Sequence, residues 1–256
     1  MAGLEACADD LRADGIHSVE LPVAHMDSEL DEIDEDFWDT MRDTFARRDV
    51  SVASIHGPVF SFDRYELGVE CDRLRAYARA AVRLGARALV VHPVLHASLH
   101  VCNIARAAMR RDIALSTAIC SELEGTCCRL AIENVPHNSW AYLRELFRRL
   151  PPSAGMCFDT GHFHVRPECS LSQAVGDFCD RIVCWHLSDN DGLCDAHLAP
   201  GAGTIDWKAW RSAASKNSAP RVLELSLPMR SEDPKAREVN REATRAAIHL
   251  ASGHIA

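Results

Sequence analysis

The sequence predicts one α/β domain of the (β/α)8 or TIM-barrel type, and three observations support this. Short apolar runs of strand type alternate with longer segments of helical spacing, which is typical of a parallel sheet built from βα units. The length of 256 residues suits a single barrel. Hydrophobic residues make up 47% of the chain, enough for a full core. We see no linker or low-complexity segment, so a single domain is expected over residues 1–256.

Seven strands are expected, each a short apolar or β-branched run that ends at a turn or a polar residue. The predicted strands are His17–Leu21, Ser51–Ile55, Ala88–Val91, Arg129–Ile132, Gly155–Phe158, Ile182–Trp185 and Val222–Leu223. A regular barrel has eight strands and opens with one of them. Because this chain opens with a helical pattern, we expect the first strand of the barrel to be missing and residues 1–14 not to form a strand.

Helices are expected between the strands, where apolar residues recur at helical spacing. Gly85 follows one of them at the position where a glycine commonly closes a helix, and Pro151-Pro152 stops another. The predicted helices are Leu4–Ala13, Phe37–Arg48, Cys71–Leu84, Ile104–Glu124, Trp140–Leu150, Leu171–Phe178, Asp206–Ser215 and Pro234–Ala251.

Charge and composition weigh against several classes of protein. The net charge is −9 and no stripe of Lys or Arg is present, which argues against a dedicated nucleic-acid binder without excluding one. No apolar run approaches the roughly 18 residues of a membrane span, so no membrane contact is expected. The N-terminus has neither the basic start nor the apolar stretch of a signal peptide. A cytoplasmic location with reduced cysteines is therefore expected.

Six successive strands end in a residue that can bind a metal ion or move a proton. These residues are His56, His92, Glu133, Asp159, His186 and Glu224. In α/β barrels the C-terminal strand ends face one common mouth, where active sites lie. Imidazole and carboxylate groups together are ligands for divalent ions, so the pattern predicts a metal centre at this mouth.

Three further candidates lie in loops. His162 follows Asp159 across the Thr160-Gly161 turn. Asp195 and His197 are two residues apart, so in an extended chain their side chains project to the same side. For Asp195 and His197 a polar turn before Pro200-Gly201 remains an alternative explanation that involves no chemistry.

Taken together, these segments resemble the xylose isomerase-like TIM-barrel superfamily. That group includes sugar phosphate isomerases and epimerases, hydroxypyruvate isomerase, inosose dehydratase and endonuclease IV. The resemblance covers residues 15–250 and implies a TIM barrel. The segments that carry it are Ile132–Asn134, Phe158–His162, His186–Asn190, Asp195–His197, Pro200–Gly203 with Asp206-Trp207, and Leu223-Glu224.

The isomerases and epimerases of the superfamily imply one divalent ion, with zinc or manganese favoured and magnesium or cobalt as alternatives. Its ligands by motif are Glu133, Asp159, His186 and Glu224. In this interpretation Glu133 and Glu224 transfer the proton, His162 binds a substrate oxygen, and the partner is a small sugar-like molecule. Ketose 3-epimerases usually carry a second glutamate six residues beyond the first metal ligand, and here that position is Ser139.

Two alternatives remain open. Endonuclease IV binds three zinc ions through nine ligands, and all nine positions are filled here by motif: His56, His92, Glu133, Asp159, His162, His186, Asp195, His197 and Glu224. The bulky and basic loops that insert into DNA have no counterpart here, since the loop after His56 is short and uncharged. The second alternative is a metal-binding barrel that has lost its activity. The pattern also leaves open a homo-oligomer.

Overall fold

The computed structural model describes residues 2–23, 35–62, 66–94 and 101–226, together with Thr244. These residues group into two compact units, Met1–Cys157 and Phe158–Ala256, and each is described by itself. The prediction of a single domain over residues 1–256 stays a prediction. Of the described helices, none is both long and apolar enough to cross a membrane.

Strands and helices alternate through the described part of the chain. The strands are β1 (Ser18–Pro22), β2 (Ser51–Val59), β3 (Ala88–His92), β4 (Arg129–Glu133), β5 (Gly155–Asp159), β6 (Ile182–Leu187) and β7 (Arg221–Leu223). The helices are α1 (Ala2–Ala13), α2 (Glu35–Ala46), α3 (Leu67–Arg83), α4 (Cys102–Glu122), α5 (Trp140–Arg149), α6 (Thr160–Val165), α7 (Leu171–Phe178) and α8 (Trp207–Ala214).

The first unit contains a parallel sheet in which neighbouring strands follow the order of the sequence. β1 pairs with β2, β2 with β3, β3 with β4, and β4 with the start of β5. Strands β3 and β4 are almost entirely buried, as is typical of parallel strands covered on both faces. The outermost strand, β1, is only half-buried.

The second unit contains the parallel pair β6 and β7, in which His186 lies opposite Val222. The indole of Trp185 on β6 packs edge-on against that of Trp210 on α8, with ring centroids 5.7 Å apart. Side chains cap the N-termini of two helices in this unit. Ser170 and Gln173 form a capping box at α7, and the Asp206 carboxylate accepts a hydrogen bond from the Ala209 amide at α8.

The seven predicted strands are confirmed among the described residues, and residues 2–13 form a helix, as expected. The predicted end of β2 is wrong, because the strand continues past His56 to Val59. A Cβ added at Gly57 would lie 3.0 Å from the Val90 carbonyl oxygen, so glycine permits this close approach to β3. Pro58 falls in the register shift between His56 and Val59, where a missing N–H is tolerated.

Other boundaries also differ from the prediction by a few residues. β6 extends to Leu187, two residues beyond its predicted end at Trp185. Residues 160–165 form the short helix α6 instead of a turn, because the Asp159 carboxylate caps it. The predicted helix Pro234–Ala251 lies outside the described residues, apart from the helical Thr244.

Two buried carboxylates on helices hold the loops that follow β2 and β3. Glu70 on α3 accepts hydrogen bonds from the Ser61 amide at 2.6 Å and from the Arg111 guanidinium at 2.6 Å. Asp112 on α4 accepts hydrogen bonds from the Val94 amide at 2.9 Å and from the Tyr142 hydroxyl at 2.6 Å. Burial raises the pKa of Asp112 to about 7, despite these two hydrogen bonds.

We expect the substitution Asp112→Asn to remove a pH dependence of the free energy of unfolding. The raised pKa favours the protonated carboxyl in the folded state, so this contribution to stability is fully present below about pH 4, the unfolded value, and is lost as the pH rises through about 7. The stability of D112N minus that of the wild type should therefore increase from pH 4 to pH 8. Urea unfolding at several pH values measures this difference.

Asp180→Asn is the matched control, because Asp180 is exposed. A D112N difference that stays flat across this pH range would contradict the raised pKa of Asp112.

Candidate metal centre

Three predicted ligands meet in the first unit and are called the first cluster: His56, His92 and Glu133. His92 and Glu133 end β3 and β4, and His56 lies on β2. The Oε2 atom of Glu133 is 3.1 Å from His92 Nε2 and 3.4 Å from His56 Nε2. Glu133 is fully buried, so its carboxylate lies among imidazole groups at the carboxyl ends of the strands.

The ring of His56 is oriented by its own backbone neighbour. Its Nδ1 atom donates a hydrogen bond to the Gly57 carbonyl at 3.0 Å, which leaves Nε2 directed towards Glu133. A histidine that binds a metal ion commonly donates its second N–H to a carbonyl or carboxylate in this way. The first cluster therefore has the donor atoms and the ring orientation of a divalent-metal site.

Three further predicted ligands meet in the second unit and are called the second cluster: His162, Asp195 and His197. The Oδ2 atom of Asp195 is 3.0 Å from the Nε2 atoms of both His162 and His197. The Nδ1 atom of His197 donates to the Glu224 carbonyl at 3.0 Å, which fixes this ring as Gly57 fixes that of His56. The second cluster thus repeats the chemistry of the first.

Local backbone geometry explains how the second unit places these residues. The Asp159 carboxylate, at the end of β5, accepts a hydrogen bond from the His162 amide at 2.5 Å. Asp159 is therefore the N-cap of α6. His162 therefore lies one helical turn beyond Asp159 and is buried. His197 has a positive φ of 46°, which is uncommon for a residue other than glycine.

His186 and Glu224 form a third contact within the second unit. His186 lies on β6 and is fully buried, and its Nδ1 atom is 2.9 Å from Glu224 Oε2. Glu224 follows β7 directly, and its amide donates to the Leu187 carbonyl at 3.2 Å. This hydrogen bond extends the pairing of β6 and β7 by one residue and places the two side chains together.

Protonation of the second cluster follows from these contacts. The hydrogen bond to Asp195 raises the pKa of His197 to about 9. Burial raises the pKa of the Asp195 carboxyl, but the hydrogen bonds from His162 and His197 outweigh burial and lower it below its usual range. At neutral pH without metal, His197 is therefore protonated beside an ionised carboxylate.

Comparison with known proteins places these clusters in a family. The family model described as a xylose isomerase-like TIM barrel matches residues 8–251. The chain belongs to the xylose isomerase-like TIM-barrel family. The predicted family and the predicted barrel fold are thereby confirmed.

Solved structures of the same fold include sugar epimerases. A D-psicose 3-epimerase from Clostridium cellulolyticum H10, solved with D-tagatose, is 10% identical, with a TM-score of 0.76 over 96% of this chain and 91% of that one. A protein called IolI, solved with a zinc atom, is 16% identical, with a TM-score of 0.72 over 97% of this chain and 90% of that one.

A relative in sequence is the uncharacterized protein y4fM of Sinorhizobium fredii (strain NBRC 101917 / NGR234). It is 32% identical over 106 residues, which are 40% of this chain and 34% of that protein. The match thus covers about a third of the length of y4fM.

All nine candidate ligands lie among the described residues of this family member. The structure brings them together as the first cluster, the second cluster, the pair His186 and Glu224, and Asp159 beside the His162 amide. Ser139, at the position of the second glutamate of ketose 3-epimerases, caps α5 by accepting the Tyr142 amide at 3.1 Å.

Asp189, two residues beyond the end of β6, is not among the site residues predicted from the sequence. Its side chain is fully buried and accepts hydrogen bonds from several segments of the following loop. The acidic stretch Ser188-Asp-Asn-Asp-Gly192 resembles a solvated turn, so its composition hides this burial. The position of Asp189 just after a strand end was the available signal.

We expect Asp195→Asn to lower the pKa of His197 from about 9 towards the ordinary value of about 6.5. In the wild type, the stability contributed by this raised pKa is fully present below about pH 6.5 and is lost as the pH rises through about 9. The substitution should remove that loss. An NMR titration of the imidazole nitrogens in chelator-treated protein measures the pKa.

Asp191→Asn neutralises a nearby exposed carboxylate that accepts only a hydrogen bond from the Leu193 amide among those described. It should leave the His197 titration unchanged. An equal titration of His197 in D195N and the wild type would contradict the pairing with Asp195.

Proposed function

We propose that the chain is a divalent-metal-dependent isomerase or epimerase that acts on a sugar or sugar phosphate. Membership of the xylose isomerase-like family supports this class of enzyme. The observation that carries the proposal is the contact between two of its ligands, the buried imidazole of His186 and the Glu224 carboxylate, whose Nδ1 and Oε2 atoms are 2.9 Å apart. Such a mixed nitrogen and oxygen donor set suits zinc and manganese, and magnesium or cobalt are alternatives.

The four metal ligands in this proposal are those implied by the family motifs: Glu133, Asp159, His186 and Glu224. Each lies in the last two residues of a strand or directly after one. When bound, a divalent ion supplies a Lewis acid that polarises a substrate carbonyl and its neighbouring hydroxyl, so that the C–H bond between them becomes more acidic.

The side chains of this protein supply the proton transfer. One of Glu133 and Glu224 removes the proton from the carbon beside the carbonyl, and the other, or the same one, returns it. His162 binds the substrate oxygen on which negative charge develops.

A phosphodiesterase of the endonuclease IV type is the second candidate. It is favoured by the presence of two separate clusters, since both have the donor atoms of a zinc site and a polynuclear enzyme needs more than four ligands. In that case His56, His92, His162, Asp195 and His197 act as additional ligands, and the substrate is a nucleic acid. A barrel that binds metal without activity is the third candidate.

We expect the isomerase to exchange substrate C–H protons with deuterated solvent. The protein, purified without chelators, is incubated with D-psicose, D-tagatose, D-fructose and their phosphates, and exchange is followed by NMR. Glu133→Gln and Glu224→Gln should each lower the exchange rate by roughly 100-fold or more, because a positioned general base contributes at least that much. Removal of metal by a chelator should abolish exchange, and added manganese or zinc should restore it.

Metal analysis separates the three candidates. One ion per chain with solvent exchange supports the isomerase, whereas two or three zinc ions with cleavage of DNA containing abasic sites supports the phosphodiesterase. Bound metal with neither activity would leave the metal-binding barrel without activity. Glu124→Gln changes an exposed glutamate and is the matched control for both variants.

A further inference from the structure

A pocket of about 290 Å³ lies in the first unit, between the segment that follows β2 and the helices α3 and α4. Its lining residues are Phe62, Leu67, Ala107, Arg110 and Arg111. None of these is a candidate metal ligand. Leu67 and Arg110 are exposed, so a ligand can reach the pocket from solvent.

The guanidinium of Arg111 is fixed in the wall of this pocket. Its Nε atom donates to the Ser61 carbonyl at 2.5 Å, and its Nη2 atom donates to the fully buried Glu70 carboxylate at 2.6 Å. Glu70 also accepts a hydrogen bond from the Ser61 amide at 2.6 Å. The cation and the chain that leads to Phe62 are therefore in place before a ligand arrives, which lowers the entropic cost of binding.

The guanidinium of Arg110 differs, because it makes no hydrogen bond, ion pair or ring contact with any residue that the structure describes. By contrast, Arg106 on the same helix donates to the Asn103 side chain at 2.8 Å. Arg110 also lines the same pocket as the guanidinium of Arg111. Two cations that share a pocket repel each other, and an anion placed between them would relieve that repulsion.

The charge around the pocket is positive, although the whole chain has a net charge of −9. The Nη1 atom of Arg73 is 3.8 Å from Glu70 Oε1, so Arg73 and Arg111 share one carboxylate. With Arg110, three guanidinium groups lie near one carboxylate, and three positive charges less one negative leave an excess of two. Among the described lining residues none is acidic.

The rest of the lining is apolar and consists of Phe62, Leu67 and Ala107. Small-molecule sites commonly combine apolar surface with a few polar groups, and this volume lies at the lower end of their range, which begins at roughly 300 Å³. A phosphate monoester carries a charge between about −1.5 and −2 at neutral pH, which matches the excess of positive charge. Guanidinium groups bind phosphate oxygens through paired N–H donors.

We propose that this pocket binds a small organic phosphate. The phosphate group lies between Arg110 and Arg111, and the apolar part of the ligand lies against Phe62 and Leu67. The site goes beyond the proposed function and does not depend on it, because neither a metal ion nor a candidate metal ligand takes part.

Phenyl phosphate is the probe, and its affinity is measured by calorimetric titration of the wild type, R110Q and R106Q. Arg110→Gln removes one cation and breaks none of the described contacts, so the fold should be kept. We expect R110Q to weaken binding by roughly 10-fold, the effect of losing one hydrogen bond to a charged group. Arg106→Gln is the matched control, since it removes an exposed arginine one helical turn earlier, and it should bind as the wild type does.

Two further ligands test the two halves of the pocket. Phenol lacks the anion and should show no saturable binding. Inorganic phosphate lacks the ring and should bind more weakly than phenyl phosphate. Phe62→Ala should reduce the affinity for phenyl phosphate by a larger factor than the affinity for inorganic phosphate. In NMR titrations of the wild type, the ring signals of Phe62 should shift as phenyl phosphate is added.

A phosphate group can also bind a metal ion, so each titration is repeated after treatment with a chelator. The affinity that R110Q lowers should be the same with and without metal. Phenyl phosphate binding that disappears with the metal would overturn the pocket as its site, and this outcome says nothing against the proposed function.

Three other results would also overturn the proposal. The first is an absence of saturable phenyl phosphate binding in the wild type. The second is an equal affinity in R110Q and the wild type. The third is an equal loss in R110Q and R106Q, which would indicate a general attraction of anions to the surface of α4. A failure of the solvent-exchange experiment would leave all of these measurements unaffected.

Discussion

A carboxylate that is removed from water must be surrounded by donors or cations, and this constraint organises both units of the protein. Glu70, Asp112, Glu133, Asp159 and Asp189 are all fully buried. Glu70 and Asp189 are held by backbone amides and by the side chains of Arg111 and Trp207. These hydrogen bonds hold loops in place, so the role of Glu70 and Asp189 is structural.

Glu133 and Asp195 differ from these structural carboxylates because their described contacts include pairs of imidazoles. Amide and guanidinium donors keep their protons at any physiological pH, so they cannot give way to a metal ion. An imidazole can lose its proton and offer a lone pair, so a carboxylate between two histidines is a site where a cation can replace protons. The type of donor around a carboxylate thus distinguishes Glu70 and Asp189, which hold loops in place, from Glu133 and Asp195, which are proposed to bind metal.

Part of this arrangement can be predicted from the sequence, because the signal lies within a single strand and the residue that follows it. In a parallel sheet a buried strand is a continuous apolar run, so a His or Glu at its end is conspicuous. The strand ends at His92, Glu133 and Asp159 could be predicted in this way. The extension of β2 through Gly57 could not, because it depends on how closely β3 approaches.

Asp189 shows the limit of a local pattern more clearly. Its neighbours in sequence are polar, whereas three of its four donors come from positions 12 to 18 residues further along the chain. The loop must already be folded for those donors to converge, so composition alone predicts a solvated turn. A buried loop residue of this kind is recognised only in the structure, where the hydrogen-bond partners of each buried polar group can be identified.

The hydrogen-bond partners of His197 in the metal-free protein also explain why its cluster could bind a metal ion. His197 donates from Nδ1 to a carbonyl, so a neutral ring would turn the lone pair of Nε2 towards the carboxylate of Asp195. Two lone pairs facing one another at 3.0 Å repel, which is why His197 holds a proton up to a pH of about 9. Asp195 and His197 would hold a divalent ion in place of that proton, and the larger charge of the ion would relieve the same repulsion. The raised pKa of His197 and the proposed affinity for metal are therefore two consequences of one geometry.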